Sequence, residues 1–133
     1  MLKIEHIGIA VKNLEAANNT YTSLLGAPPY KQEEVSSEAV MTSFFAIGES
    51  KIELLGATSE ESTIAKYIEK RGEGIHHIAF AVADIDAEVE RLKREGFQPI
   101  SIAPKRGADN KLVFFFHPKT SNGVLIELCQ EIA

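Results

Sequence analysis

The chain carries one alternation of apolar and polar positions twice. Ile4-Glu5-His6-Ile7-Gly8-Ile9-Ala10-Val11 matches Ile75-His76-His77-Ile78-Ala79-Phe80-Ala81-Val82 position for position. Strand side chains alternate between faces, so Ile7, Ile9 and Val11 share one face of the first copy, and Ile78, Phe80 and Val82 one face of the second. The opposite faces hold His6, Gly8 and Ala10, and His77, Ala79 and Ala81. A helix start follows each copy: Asn13 before Leu14-Glu15-Ala16-Ala17, and Asp84 before Ile85-Asp86-Ala87-Glu88. Both side chains can accept from the open N–H groups of a first helical turn. Apolar residues then recur at helical spacing, at Leu14, Ala17, Tyr21 and Leu24 and at Ile85, Val89 and Leu92. Gly26 and Gly96 are placed to provide left-handed stops.

Strand character returns after each helix, in Ala39–Ile47 and Lys51–Leu55, then in Gln98–Ile102, Leu112–His117 and Val124–Cys129. Gly48-Glu49-Ser50 and Ser121-Asn122-Gly123 interrupt these runs as hairpin turns would. The order is β-α-β-β-β, twice, with module one at about 1–58 and module two at about 74–133. The linker, about 59–73, carries a short helix that Ser62 would cap, with Ile64, Tyr67 and Ile68 on one side. The expected fold is α+β: one domain spanning 1–133, built of two tandem βαβββ modules that form a curved mixed sheet with helices on the outer face.

Composition narrows the partners. Hydrophobic residues make up 44% and charged residues 25% of the 133, an ordinary soluble balance. No apolar run approaches the roughly 18–20 residues of a membrane span, and Met1-Leu2-Lys3-Ile4-Glu5-His6 lacks the segments of a signal peptide, so the chain reads as cytoplasmic with no membrane partner. The net charge of −5, with no dominant basic footprint, argues against nucleic acid. A local patch can still serve a small anion, and Lys105, Arg106, Lys111 and Lys119 cluster in the last third. Cys129 is the only cysteine, which excludes an internal disulfide and a cysteine zinc site; it reads as a small core hydrophobe.

The candidate chemistry comes from the repeat. Each strand histidine stands among very small side chains, which leaves room beside the imidazole. A second matched pair, Lys51-Ile52-Glu53-Leu54-Leu55 and Leu125-Ile126-Glu127-Leu128-Cys129, places a glutamate between bulky apolar residues, although glutamate is a poor strand former. Singly, each of these residues would read as a solvated or structural side chain; in-register recurrence changes that weighting. His6, Glu53, His77 and Glu127 form a mixed nitrogen and oxygen set suited to a divalent transition metal, and in a six-coordinate ion they leave two positions open. His76 must face away from His77. His117 ends a strand, as a turn residue or a substrate contact. Gly107-Ala108-Asp109-Asn110-Lys111 is either a plain turn or a loop offering N–H groups to an anion.

Paired βαβββ modules with a histidine on each first strand and an acid on each last strand resemble the vicinal-oxygen-chelate superfamily. Within it, Gly74-Ile75-His76-His77-Ile78-Ala79-Phe80, Lys51-Ile52-Glu53-Leu54-Leu55, Ser62-Thr63-Ile64-Ala65-Lys66 and His117-Pro118-Lys119 with Gly123-Val124-Leu125-Ile126-Glu127-Leu128 are similar to the methylmalonyl-CoA epimerases. The resemblance covers nearly the whole chain. It implies a homodimer acting on a CoA thioester, interconverting the 2R and 2S forms of methylmalonyl-CoA through a metal-stabilised enolate. It implies a metal on His6, Glu53, His77 and Glu127, commonly cobalt, with zinc, manganese, magnesium or nickel as alternatives, and Glu127 as one catalytic acid or base. Some members carry a second catalytic glutamate where this chain has Thr42, which cannot act as a base at ordinary pH; Glu38 or a water are the substitutes. Thr42, Lys105, Lys111 and His117 are the candidate substrate contacts. Two other readings stand beside this one. The first is another metal-dependent enzyme of the superfamily, a glyoxalase-type isomerase or a dioxygenase. The second is a metal-free protein of the same fold that sequesters a small molecule.

Overall fold

Strand β1 (Lys3–Val11) begins in one structural unit and ends in another. In the computed structural model, which describes residues 1–133, one unit comprises Met1–His6 with His77–Ala133 and the other Ile7–His76. Each unit builds half of the repeat, and the fold is α+β with the expected paired βαβββ order.

The unit formed by Ile7–His76 holds the end of β1, α1 (Leu14–Leu25), β2 (Lys31–Val35), β3 (Val40–Ile47), β4 (Ser50–Ala57), α2 (Thr63–Arg71) and the first residues of β5 (Gly74–Ala81). Its strands lie in the order β2-β3-β4-β1, and β2, β3 and β4 pair antiparallel. Asn13 caps α1, its side chain accepting from the Ala16 N–H at 3.0 Å, and Gly26 ends the helix in the left-handed region. Helix α1 packs Leu14, Ala17, Tyr21 and Leu25 onto Ile9, Val11, Phe45, Ile52 and Leu54. Leu24, expected on that stripe, is 69% exposed, and Leu25 takes its place one position on. Gly56 lets α1 approach closely: a Cβ there would lie 3.1 Å from the Leu14 Cβ. The other strand face carries Ala10, Val40 and Leu55 against Ile64, Tyr67 and Ile68 of α2, so the linker helix buries the side that its apolar spacing marked. Strand β2 has no counterpart in the apolar pattern. Its sequence, Lys31-Gln32-Glu33-Glu34-Val35, is polar because it is an edge strand, where charge discourages pairing with other chains.

The unit formed by residues 1–6 and 77–133 holds the start of β1, most of β5, α3 (Ile85–Arg94), β6 (Lys105–Arg106), β7 (Lys111–Phe116) and β8 (Ile126–Glu131). The order is β5-β8-β7-β6, with β5 and β8 parallel and the other pairs antiparallel, so the sheet is mixed. The Leu2 N–H donates to the Ala81 carbonyl at 2.8 Å, tying the start of β1 to β5. Asp84 caps α3 through the Ala87 N–H, and Ile85, Val89 and Leu92 pack on Val82, Phe114, Phe116 and Leu128. The bulky strand face therefore meets the helix, as the alternation predicts.

Gln98–Ile102 is not a strand. Pro99 has no N–H to donate to a ladder. The segment makes one isolated bridge, Pro99 to Phe116, and the Ile100 and Ser101 amides converge on the Phe115 carbonyl. The two-residue β6 supplies the last strand of this half instead. No helix is long and apolar enough to cross a membrane.

Candidate metal centre

Three of the sequence candidates meet within one unit. His6 comes from β1, His77 from β5 and Glu127 from β8. The β5–β8 register sets Ala79 beside Glu127, and the β7–β8 register sets Phe115 on its other side. Glu127 thus shares a sheet face with a small residue and an aromatic one, while the alternate residues, Ile126 and Leu128, turn to α3. Ala79 is fully buried and has no side chain beyond its Cβ to crowd the carboxylate. Phe115 stands edge-on to His77, ring centres 6.0 Å apart, and forms an apolar wall.

The donor atoms are close. His6 Nε2 lies 2.9 Å from His77 Nε2, and Glu127 Oε1 lies 3.0 Å from His77 Nε2 and 3.4 Å from His6 Nε2. All three residues are buried, at 5–6% exposure. Donors bound to one cation at about 2.1 Å sit about 3.0 Å apart at right angles and about 3.4 Å apart in a tetrahedron, so the observed triangle has the size of a coordination-sphere face. The donor types, two imidazoles and a carboxylate, suit a divalent transition metal as well. The residues present fit such an ion.

The Glu127 carboxyl feels opposing forces. Burial pushes its pKa up, but the two imidazoles beside it, His6 and His77, pull harder and hold it at about 2. Glu127 is therefore an ionised carboxylate at any ordinary pH, the form a metal requires.

The remaining candidates are distributed as follows. Glu53 is buried on β4 with Phe44 as its cross-strand partner, and the neighbouring pair is Thr42 with Leu55, so Thr42 and Glu53 share one face. Thr42 is 2% exposed. Glu38 is exposed, the last residue of a 3-10 turn (Ser36–Glu38), and Ala39 after it takes a left-handed φ of 54°. Lys105 and Arg106 are exposed on β6. Lys111 faces Asp109 at 3.9 Å and Glu131 at 3.7 Å. The Gly107–Lys111 loop is a tight hairpin connection: Gly107 N–H donates to the Lys111 carbonyl, Asp109 and Asn110 both have positive φ, and Arg106 donates to the Asn110 side chain at 2.7 Å. His117 caps the turn after β7, its Nδ1 accepting from the Lys119 N–H at 3.0 Å. His76 points away from His77, edge-on to Tyr67 at 4.8 Å. Cys129 is a buried thiol, as expected.

Two residues at the centre carry no signal in the alternation. Phe115 is one of three consecutive phenylalanines, and only the strand register shows which of them faces Glu127. Glu5 is 4% exposed, with its Oε1 2.7 Å from His6 Nδ1. Parity alone would send it to the face opposite His6.

A βαβββ repeat whose first strands bring two histidines to a carboxylate on a last strand defines a class. The chain belongs to the glyoxalase/bleomycin resistance protein/dioxygenase superfamily, whose family model matches residues 5–115. More particularly, it is 42% identical over 130 residues to the ethylmalonyl-CoA/methylmalonyl-CoA epimerase of Cereibacter sphaeroides, covering 96% of this chain and 97% of that one. It is 37% identical to the mitochondrial methylmalonyl-CoA epimerase of Homo sapiens, covering 96% of this chain and 73% of the human one. Among solved structures it is similar to a variant of the Streptomyces coelicolor methylmalonyl-CoA epimerase in complex with 2-nitronate-propionyl-CoA. That likeness has a TM-score of 0.94 at 34% identity and covers 100% of this chain and 99% of the other.

Proposed function

We propose that this protein is a metal-dependent epimerase that interconverts (2R)- and (2S)-methylmalonyl-CoA. The observation that carries the metal reading is the buried triangle of His6, His77 and Glu127 donor atoms. The substrate class follows from relatives with that activity in their names that align over nearly the whole chain. Glu53 is the fourth ligand in this reading, on the strength of the repeated strand pattern, and cobalt is the ion to test first. A divalent cation at this site would supply Lewis acidity to the thioester and carboxylate oxygens, stabilising the enolate left when the C2 proton departs.

The chain's own contribution is to order and neutralise. His6 and His77 present ring nitrogens, and Glu127 presents a carboxylate already ionised. Phe115 and Ala79 exclude water on one side of the carboxylate, which strengthens every electrostatic contact there. Epimerisation requires a proton acceptor on one face of C2 and a donor on the other. Glu127 is assigned one of these roles. Ionised, Glu127 is in the form that can accept a proton. Thr42 cannot fill the second role by titration, which leaves Glu38 or a water; Lys105, Lys111 and His117 are the candidate contacts to the CoA thioester. The protein is read as a cytoplasmic homodimer, and light scattering tests the oligomeric state.

The test is exchange at C2. Purified protein loaded with cobalt and incubated with either methylmalonyl-CoA epimer in deuterated water should incorporate deuterium at C2, and chelation should abolish the incorporation. No exchange with metal bound refutes the epimerase reading. Stable binding of a small molecule without any metal gain would favour a sequestering protein instead.

A further inference from the structure

We propose that Glu5 is the positioning residue of this centre: it holds His6 in the tautomer that presents a bare Nε2 to His77 and Glu127. The inference rests on the metal reading above, and it concerns a residue outside the four-ligand set.

Burying a carboxylate is costly unless it is well partnered. Glu5 is nonetheless almost fully buried, and its Oε1 lies 2.7 Å from His6 Nδ1, the length of a charge-assisted hydrogen bond. A carboxylate only accepts, so the proton at this contact lies on His6 Nδ1, which donates to Glu5. A neutral imidazole has one N–H. With that proton on Nδ1, Nε2 is a lone pair, and Nε2 is the atom 2.9 Å from His77 Nε2 and 3.4 Å from Glu127 Oε1. The same contact fixes the ring orientation and raises the basicity of Nε2, as a carboxylate behind a ligating histidine does in general.

The internal repeat shows that this is not a by-product of symmetry. The position matching Glu5 in the second copy is His76, which packs on Tyr67 and carries no carboxylate to place behind His77. The first-strand histidine has a preorganising partner that the repeat does not require.

The experiment reads the tautomer without metal and the affinity with it. Long-range proton–nitrogen NMR on metal-free protein with labelled histidine should show wild-type His6 protonated at Nδ1. Glu5→Ala should move the proton to Nε2, where Glu127 can accept it. Glu5→Gln, whose side-chain oxygen still accepts but carries no charge, should keep the Nδ1 proton. Titration with cobalt(II) chloride should then give a dissociation constant raised about 10–100-fold in Glu5→Ala and by a smaller factor in Glu5→Gln. If Glu5→Ala does not fold, Glu5→Gln and Glu5→Asp carry the affinity series, and the wild-type spectrum still decides the tautomer. An Nε2-protonated His6 in the wild type overturns the proposal, as does cobalt affinity unchanged across the variants. Failure of the wild type to bind cobalt or zinc at all, with the Nδ1 proton in place, would instead refute the metal centre and leave the tautomer assignment standing.

Discussion

Replacing Glu127 by glutamine tests whether the two histidines, rather than burial, govern the carboxylate. In the unfolded chain this carboxyl titrates at its ordinary value of 4.5, and in the folded protein at about 2. That difference corresponds to about 3 kcal/mol by which folding favours the ionised over the protonated form. The direction follows from the depressed folded value. The stabilisation is fully present above pH 4.5 and is lost as the pH falls towards about 2. Glutamine has the shape of the protonated acid and cannot ionise. Glu127→Gln in metal-free protein should therefore be destabilised by up to about 3 kcal/mol at pH 7, and the gap should narrow between pH 4.5 and about 2. Urea unfolding of chelator-treated wild type and variant across pH measures it. A metal that binds only the folded state adds to wild-type stability by mass action, so cobalt should widen the gap at pH 7. A variant as stable as wild type at pH 7 without metal would refute the reasoning, because burial would then outweigh both histidines.

Four further expectations are independent of that centre. Asp84→Ala removes the side chain that accepts from the Ala87 N–H and should cost about 1 kcal/mol in chemical denaturation. Phe114→Ala empties a fully buried position under α3 and should cost about 3–5 kcal/mol, read as a lower urea midpoint. Ala39→Gly relieves a left-handed backbone at φ 54° and should raise stability by up to about 1 kcal/mol, measured by thermal unfolding. Glu88 is held below its ordinary 4.5 by the Arg91 hydrogen bond; Glu88→Gln should lower stability by less than about 1 kcal/mol at pH 7, and this difference should vanish as pH falls below 4.5. Comparing denaturation at neutral and acid pH checks it.

What could be read from the amino-acid pattern follows the physics of each element. The first strand of each half, all three capped helices and strands β3, β4, β7 and β8 announce themselves, because each buries an apolar face at a period of two or near 3.6. Strand β2 is silent because an edge strand needs no apolar face: Lys31, Glu33 and Glu34 give no alternation, and its existence depends on pairing with β3. Gln98–Ile102 misleads in the other direction. Its Ile100 and Ile102 look like strand residues, but Pro99 breaks the ladder and Ile102 is left 97% exposed.

The centre divides in the same way. His6, His77 and Glu127 were legible because duplication repeats their positions, and repetition is information that a single strand lacks. The structure brings them together within 3.4 Å through the parallel β5–β8 register and the tie between Leu2 and Ala81, neither of which local sequence encodes. Glu5 was illegible for the complementary reason. A regular strand turns the side chain next to His6 to the opposite face, so alternation predicts that Glu5 has nothing to do with His6. A glutamate is long enough to defeat that parity, folding its carboxylate back to the ring nitrogen of its own neighbour. Alternation describes where a Cβ points, and for long polar side chains the functional atom need not follow. Breaks in the symmetry between the two copies are then the places to look for such residues, since core packing explains what the halves share and leaves unexplained what only one of them has.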